Sequence, residues 1–358
     1  MRCEGFVSDM VLEVAPVPRA LLRVMLAALC AVLAPEPSAV AAADPPAGAR
    51  PVGVDPPSGS TPTGNGPASN GPTSTEPTTQ PPTPPVAVPA EPASVRVATF
   101  NIRYANPADG VNAWSKRRAM VLGILRDGDF WGLQEALPSQ VREIAEGLPE
   151  YAMLARSRER DATQGEACPI LYRADRWELD AADHGIFWLS ETPESAGSAS
   201  WDSSLPRICT YGRFVSKAGG RALYIFNVHL DHQGATARLE AARLIAARIA
   251  ARKHAADPVV LLGDFNCGPR SAPLQALVGG ERAALRDAWR ATNPDAPEQP
   301  TFNGWADACA GERIDHILFT GALDVESAAI DAARRDGRWP SDHAFVRAEF
   351  VWRTPASK

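Results

Sequence analysis

Val259-Val-Leu-Leu-Gly263-Asp264-Phe-Asn266 is the stretch on which the fold turns. Four apolar residues in succession read as a buried strand. The chain then passes at once into Gly, Asp and Asn, residue types of turns and of ligand sites. Working outward, the same transition recurs. Upstream, Ala222-Leu-Tyr-Ile-Phe-Asn-Val228 is an apolar strand that runs out at His229, and residues 235–255, rich in Ala, Arg, Leu and Ile, predict a helix between the two strands. Further upstream Phe130-Trp-Gly-Leu133 ends at Gln134-Glu135, and Val95-Arg-Val-Ala-Thr-Phe100 alternates toward Asn101. Met120, Val121, Ile124 and Leu125 stand at helical spacing within Ser115 to Arg126. Downstream, Asp264 and Asn266 are followed by Asp315 and Asp342-His343, which read as further strand exits. Polar residues collected at strand ends predict a sheet-based α/β domain whose active site forms there, since the strand fixes the side chain and the loop leaves it open.

The inventory at these exits is carboxylates, amides and two histidines, without a thiolate cluster, which suits a hard cation such as Mg²⁺ or Mn²⁺. Of the cysteines, Cys168, Cys209, Cys267 and Cys309 lie in the expected mature chain. None forms a CxxC pair, which excludes a zinc ribbon or a thioredoxin motif and leaves disulfide pairing open. A GxSxG elbow is missing as well, so no serine nucleophile of that kind is expected.

Thr99-Phe-Asn101-Ile-Arg103, Gln134-Glu135, Asn227-Val-His229-Leu-Asp231-His232, Gly263-Asp264-Phe-Asn266, Arg313-Ile-Asp315 and Ser341-Asp342-His343 occur in this order. Together they resemble the motifs of the endonuclease/exonuclease/phosphatase superfamily. Pancreatic-type deoxyribonuclease, abasic-site endonucleases, deadenylases, sphingomyelinases and inositol-polyphosphate phosphatases are members. The resemblance covers about residues 95–353. It implies a four-layered α/β sandwich, two mixed β-sheets packed face to face with helices outside. It also implies roles: Glu135 as principal metal ligand, with Asn101 close by and Asp342 contributing. His343, held by Asp315, would be the catalytic histidine, Asp264 and Asn266 would orient or activate water, and His229 would hydrogen-bond a phosphoryl oxygen. Asn112-Ala-Trp114-Ser-Lys-Arg117, Gly165-Glu166, Phe187-Trp188-Leu-Ser190 and Trp201 to Arg207 resemble signatures of the bacterial members. Arg103 stands where abasic-site endonucleases carry an acid, which argues against a second acidic ligand at that position.

Elementary chemistry asks for the same residue types. Phosphoryl transfer needs an in-line water and neutralised non-bridging oxygens, supplied by a cation and by hydrogen-bond donors, and a histidine oriented by a carboxylate has its tautomer fixed. Arg117 and Arg207 are the expected phosphate-clamping arginines, because a guanidinium grips phosphate with two donors. A di-zinc reading of His229-Leu-Asp231-His232 fails because Asn227 occupies the place of the first histidine of an HxHxDH motif. His184, His254 and His316 read as structural or surface residues, and the tryptophans as core, with Trp114 and Trp339 near enough to the motifs to line the cleft.

Most of the 33 prolines crowd into the first quarter of the 358 residues, whereas every tryptophan and histidine lies beyond Arg96. Arg19 and Arg23 precede the apolar run Val24–Ala34, and Ala41 and Ala43 offer a cleavage site, so residues 1–43 are expected to be a secretory signal. That run ends at Pro35 and is short for ~30 Å of hydrocarbon, so no stable membrane span is expected after cleavage. Residues 44–94 are Pro, Gly, Ser, Thr and Ala with few large apolar side chains, too poor in core formers to offset ordering entropy, and read as an extended spacer. The folded domain is expected over 95–358, exported and monomeric. Residues before position 95 carry four of the basic and eight of the acidic side chains, which is -4 of the net charge of -6 and leaves about -2 for the domain. Such a balance excludes a strongly basic nucleic-acid binder. The expected activity is metal-dependent hydrolysis of a phosphodiester, nucleic acid by default. The alternatives are small phosphorylated or lipid-headgroup compounds, or a non-catalytic cell-surface binding module.

Overall fold

Alternation along the first strand sets up the layers: Val95 and Val97 face one apolar cluster, while Ala98 and Phe100 face another on the opposite side. In the computed structural model, residues 93–280 and 284–353 are described. The expected signal and all but the end of the expected spacer lie outside the described residues. In chain order the elements are β1 (Ser94–Asn101), α1 (Trp114–Leu125), β2 (Phe130–Gln134), α2 (Pro138–Gly147), β3 (Tyr151–Leu154), β4 (Ile170–Arg173), β5 (Trp177–Trp188), β6 (Ile208–Ser216), β7 (Ala222–His229), α3 (Ala235–Ala250), β8 (Val259–Asp264), α4 (Ala272–Val278), β9 (Arg286–Asp287), α5 (Ala288–Thr292), β10 (Asp315–Phe319), β11 (Leu323–Asp331) and β12 (Phe345–Trp352).

Two six-stranded sheets form, ordered β11-β12-β1-β2-β4-β3 and β5-β6-β7-β8-β10-β9. Each is mixed: a parallel pair, β1 with β2 or β7 with β8, is flanked by antiparallel neighbours. One core lies between the sheets, made by Val97, Phe130, Ile225, Leu262, Ile317 and their neighbours. A second joins α1 and α2 to the outer face of the first sheet. The third joins α3 and α4 to the outer face of the second. The implied four-layered α/β sandwich with two mixed sheets is therefore the fold. Among the described residues no helix is long and apolar enough to cross a membrane, and all four cysteines are free.

Two sequence expectations need correction. Asp315 opens β10, and Asp342-His343 precede β12, so these residues lie at strand entries rather than exits. The reason is direction: β10 runs antiparallel to β8 and β12 antiparallel to β1, so the starts of the former lie beside the ends of the latter. The long helix also stops earlier than expected, at Ala250 rather than residue 255. Arg252 donates hydrogen bonds to the carbonyls of Ile249 and Asp257, which turns the chain into the loop before β8.

Candidate active site

The face between the sheets turns polar at one end, and that end is the site. On β1 the inward series Val95, Val97 continues to Thr99 and Asn101, on β7 Leu223 and Ile225 lead to Asn227 and His229, and on β8 Val260 and Leu262 lead to Asp264. On β10 the series reads backwards from Phe319 and Ile317 to Asp315. Register places His229 beside Asp264, and Asp264 beside Asp315. Beneath them a buried amide bridge ties the sheets: Gln134 Nε2 donates to Asn227 Oδ1 at 2.7 Å and to Thr99 Oγ1 at 3.0 Å, and Asn227 Nδ2 donates to the carbonyls of Leu133 and Pro169. Such a bridge is favourable because nearly every buried donor finds an acceptor.

Asp264 is the hub. Its Oδ2 accepts from Asn101 Nδ2 at 3.0 Å and stands 3.6 Å from His229 Nε2 and 3.8 Å from His343 Nε2, while Oδ1 accepts from the Asn266 amide at 2.9 Å. Burial, reinforced by the Asp315 carboxylate, pushes Asp264 well above the usual carboxylate range. His343 Nδ1 lies 2.9 Å from Asp315 Oδ2. Burial opposes charge on this ring, but Asp315 and Asp264 outweigh it and push its pKa up to about 10. His229 behaves oppositely: burial, with Arg207 and Arg158 nearby, holds it well below the ordinary histidine range, as a neutral donor or acceptor.

Glu135, Asn101 and Asp342 form the other wall. Glu135 accepts from Asn101 Nδ2 at 3.0 Å and from the Tyr104 amide at 3.2 Å. Ser341 Oγ donates to the Asn101 carbonyl at 2.6 Å, joining the Asp342 segment to the end of β1. Asp342 is raised by burial first, and by the neighbouring Glu135 carboxylate, against His343 and Arg103. Two carboxylates that repel each other are a donor set that fits a hard divalent cation, and Asn101 turns its amide nitrogen to Glu135 while its oxygen accepts from the Arg103 amide at 3.0 Å. Asp264, Asp315 and His343 also bring ligand-type atoms within 4.8 Å of one another. There His343 Nδ1 is engaged with Asp315, which leaves Nε2, 3.8 Å from Asp264, as the ring nitrogen facing the cluster. Arg103, Glu135 and Asn266 all have left-handed backbones, with φ of 56°, 62° and 50°. Strain of this kind in non-glycine residues collects at functional sites.

Of the candidate metal-ligating and catalytic side chains, all but the fully buried Asn101 and Asp315 line a cavity of about 470 Å³ that also takes in Tyr104, Arg158, Glu166, Leu205, Arg207, His232 and Phe302. Of the two arginines expected to clamp phosphate, the structure brings only Arg207 to the cavity. Arg117 is a correction: it is 1% exposed, and its guanidinium donates to the carbonyls of Asn112, Ile102, Pro340 and Arg103 at 2.6, 2.9, 2.7 and 3.3 Å. Backbone carbonyls take four of the five guanidinium donors, and a side chain this buried cannot present the fifth to a phosphate. Trp114 is core rather than cleft, its Nε1 donating to Glu143, and Trp339 is likewise buried, donating to Ala306. Sequence reasoning missed Arg158, bound to Glu166 across the 158–166 turn, and Phe302, whose ring meets His343 edge-on at 5.0 Å. Neither follows a strand, so the strand-end signal does not find them.

Fold and site define a class, the phosphoester hydrolases built on a two-sheet α/β sandwich. The chain belongs to the endonuclease/exonuclease/phosphatase family, whose model matches residues 98–343. Members of that family generally depend on a divalent metal. Among solved structures, an endonuclease/exonuclease/phosphatase from Bacteroides vulgatus is 34% identical, with a TM-score of 0.67, over 73% of this chain and 99% of its own. A mannosyl-6-phosphatase from Bacteroides thetaiotaomicron is 32% identical, with a TM-score of 0.64, over 72% of this chain and 100% of its own. TDP2 of D. rerio, complexed with a single strand DNA product, is 19% identical with a TM-score of 0.57, over 72% of this chain and 99% of its own, a likeness of fold alone. No curated protein sequence matches the chain.

Proposed function

We propose that this protein is an exported, Mg²⁺- or Mn²⁺-dependent phosphoesterase acting on small phosphorylated molecules in preference to nucleic acid. The observation that carries the preference is that each arginine lining the cavity is already paired: Arg103 with Asp109 and Asp342, Arg158 with Glu166, and Arg207 with Asp231. Tracking a nucleic-acid backbone needs cations that neutralise several phosphates. The likeness to a mannosyl-6-phosphatase at 32% identity supports the same reading.

In this mechanism Glu135 and Asp342, with Asn101 beside them, would hold the cation, which would offset charge on the phosphoryl oxygens. Asp264, its affinity for a proton raised by burial and by Asp315, takes a proton from the water whose oxygen bonds to phosphorus, the Asn266 amide fixing the carboxylate for that task. The bond from phosphorus to the alcohol oxygen breaks, and the departing alkoxide is protonated by solvent water. His343, kept protonated by Asp315, donates to a non-bridging oxygen, and neutral His229 donates to another. The test is a panel of phosphomonoesters, small diesters, oligonucleotides and plasmid DNA, each with Mg²⁺, Mn²⁺ and EDTA. Metal-dependent turnover greatest on the small esters is expected; turnover indifferent to EDTA, or greatest on plasmid, rejects the reading. Export is tested by N-terminal sequencing of the protein recovered outside the cytoplasm, with a mature start near Asp44 expected.

A further inference from the structure

The chemistry above leaves part of the cavity wall unused. Arg158 grips Glu166 with two hydrogen bonds, of 2.8 and 3.1 Å. Arg207 lies 3.4 Å from Asp231 and 2.9 Å from His232 Nδ1, and Ser204 Oγ donates to Asp231 at 2.7 Å. Gly165, with φ of 72°, makes the turn that delivers Glu166, and a Cβ there would sit 2.4 Å from Glu159 Cγ. The wall is thus two guanidinium groups against two carboxylates, with no formal charge left over. A second anionic group on the substrate would gain no net attraction from it. What it offers is both kinds of hydrogen-bonding partner side by side, acceptors on Glu166 and donors on the arginines.

A hydroxyl group donates and accepts at once, so it needs such a mixed wall. Beside it are Leu205 and Phe302, 37% and 41% exposed, two of the three large apolar side chains that are exposed among the described residues. Phe302 packs on His343, which puts an apolar platform next to the reacting phosphoryl group. Hydroxyl-bearing edges with a C–H face between them are the surface of a carbohydrate. We infer that Arg158, Glu166, Arg207 and His232 form a subsite for the hydroxyl groups of the leaving alcohol, with Phe302 and Leu205 against its apolar face, so that the preferred substrates are phosphate esters of sugars or similar polyols.

The inference rests on the phosphoesterase reading, and the experiment separates the two. A hexopyranose 6-phosphate and cyclohexylmethyl phosphate share a carbon frame and a primary-alcohol leaving group and differ chiefly in the ring oxygen and hydroxyls. The ratio of their kcat/KM values therefore reports hydroxyl recognition. A ratio of at least about 10² is expected for the protein, since sites built to hydrogen-bond hydroxyls reject analogues that lack them by up to about 10⁴–10⁵. Glu166→Gln should lower that ratio about tenfold or more, and His232→Phe, at an exposed position that does not endanger folding, should lower it too. Calorimetric Kd values for the two esters, measured on the turnover-silenced His343→Ala protein, should follow the same order. A ratio near one, or a ratio unmoved in both variants, overturns the subsite while leaving the phosphoesterase reading standing. Turnover of neither ester, nor of any other ester in the wider panel, overturns both.

Discussion

His343 and Asp315 answer to a single test, because Asp315 spends one oxygen on His343 Nδ1 and its other oxygen, though buried, has no partner. His343→Ala and Asp315→Asn should each lower kcat about 10²-fold or more, and the double variant should be little worse than either, as for residues that act as a unit. Losses that multiply would dissolve the dyad. The same pair fixes a pH dependence. The folded pKa of about 10 lies above the ordinary histidine value, so the stabilisation is fully present below that ordinary value and is lost as pH rises through about 10. Melting temperature followed from pH 6 to pH 11 should fall more steeply for the protein than for Asp315→Asn, and ring NMR should place the His343 titration lower in that variant. Arg117 makes the contrasting case. Arg117→Met should destabilise by several kcal/mol, since each stranded carbonyl costs about 1–3 kcal/mol; a fully stable variant with only a raised KM would restore the phosphate-clamp role. Here the sequence misled for a plain reason: an arginine beside a motif looks the same whether it faces a substrate or ties Ile102 to Pro340 through the backbone.

Elements position the site through close approach of backbones, and two glycines make that approach. A Cβ on Gly132 would meet Leu262 Cδ1 at 2.0 Å and Asn227 at 2.8 Å, while one on Gly263, with φ of 150°, would meet the Val228 carbonyl at 2.0 Å. The first clash is with side chains that can shift. The second is with the backbone of the parallel neighbour β7, which cannot move without pulling His229 away from Asp264. Gly132→Ala should therefore cost about 1–3 kcal/mol, the usual scale of overpacking. Gly263→Ala should cost more and should also depress kcat, as denaturant melts and kinetics on both variants will tell; equal, small losses would contradict the argument. The strands β2, β7 and β8 are legible in the sequence because each is a nearly continuous apolar run, and β1 because Val95, Val97 and the residues after them alternate. β5 and β11 were not, since register shifts between Leu179 and His184 and between Val325 and Ser327 break the alternation on which such reading depends. Direction is not legible either, which is why Asp315 and Asp342-His343 read as strand exits in the sequence although β10 and β12 begin there.

At the scale of the molecule, the two sheets contribute to one cavity, Glu135 from the end of the first and His229 and Asp264 from the second, with Asn101 and Asp315 buried in support, and the Gln134–Asn227 bridge fixes their spacing. Charge then decides what can enter. The chain carries 36 Lys and Arg against 42 Asp and Glu, and the three arginines of the cavity are each held by carboxylates of the protein itself. A duplex endonuclease would neutralise many phosphates and release their counterions, so its log kcat/KM would fall steeply with log salt, with a slope near -0.9 for each phosphate engaged, about -5 to -9 for six to ten contacts. A cavity that accepts one phosphoryl group engages about one, so a slope of about -1 or shallower is expected on small esters. Turnover of long duplex DNA should be slower than turnover of those esters at every salt concentration. The measurement is kcat/KM from about 50 to 200 mM salt on a small phosphate ester, an oligonucleotide and a plasmid. Fast plasmid cutting with a steep slope would mean that arginines outside the cavity form a phosphate track, and would return the protein to the duplex nucleases.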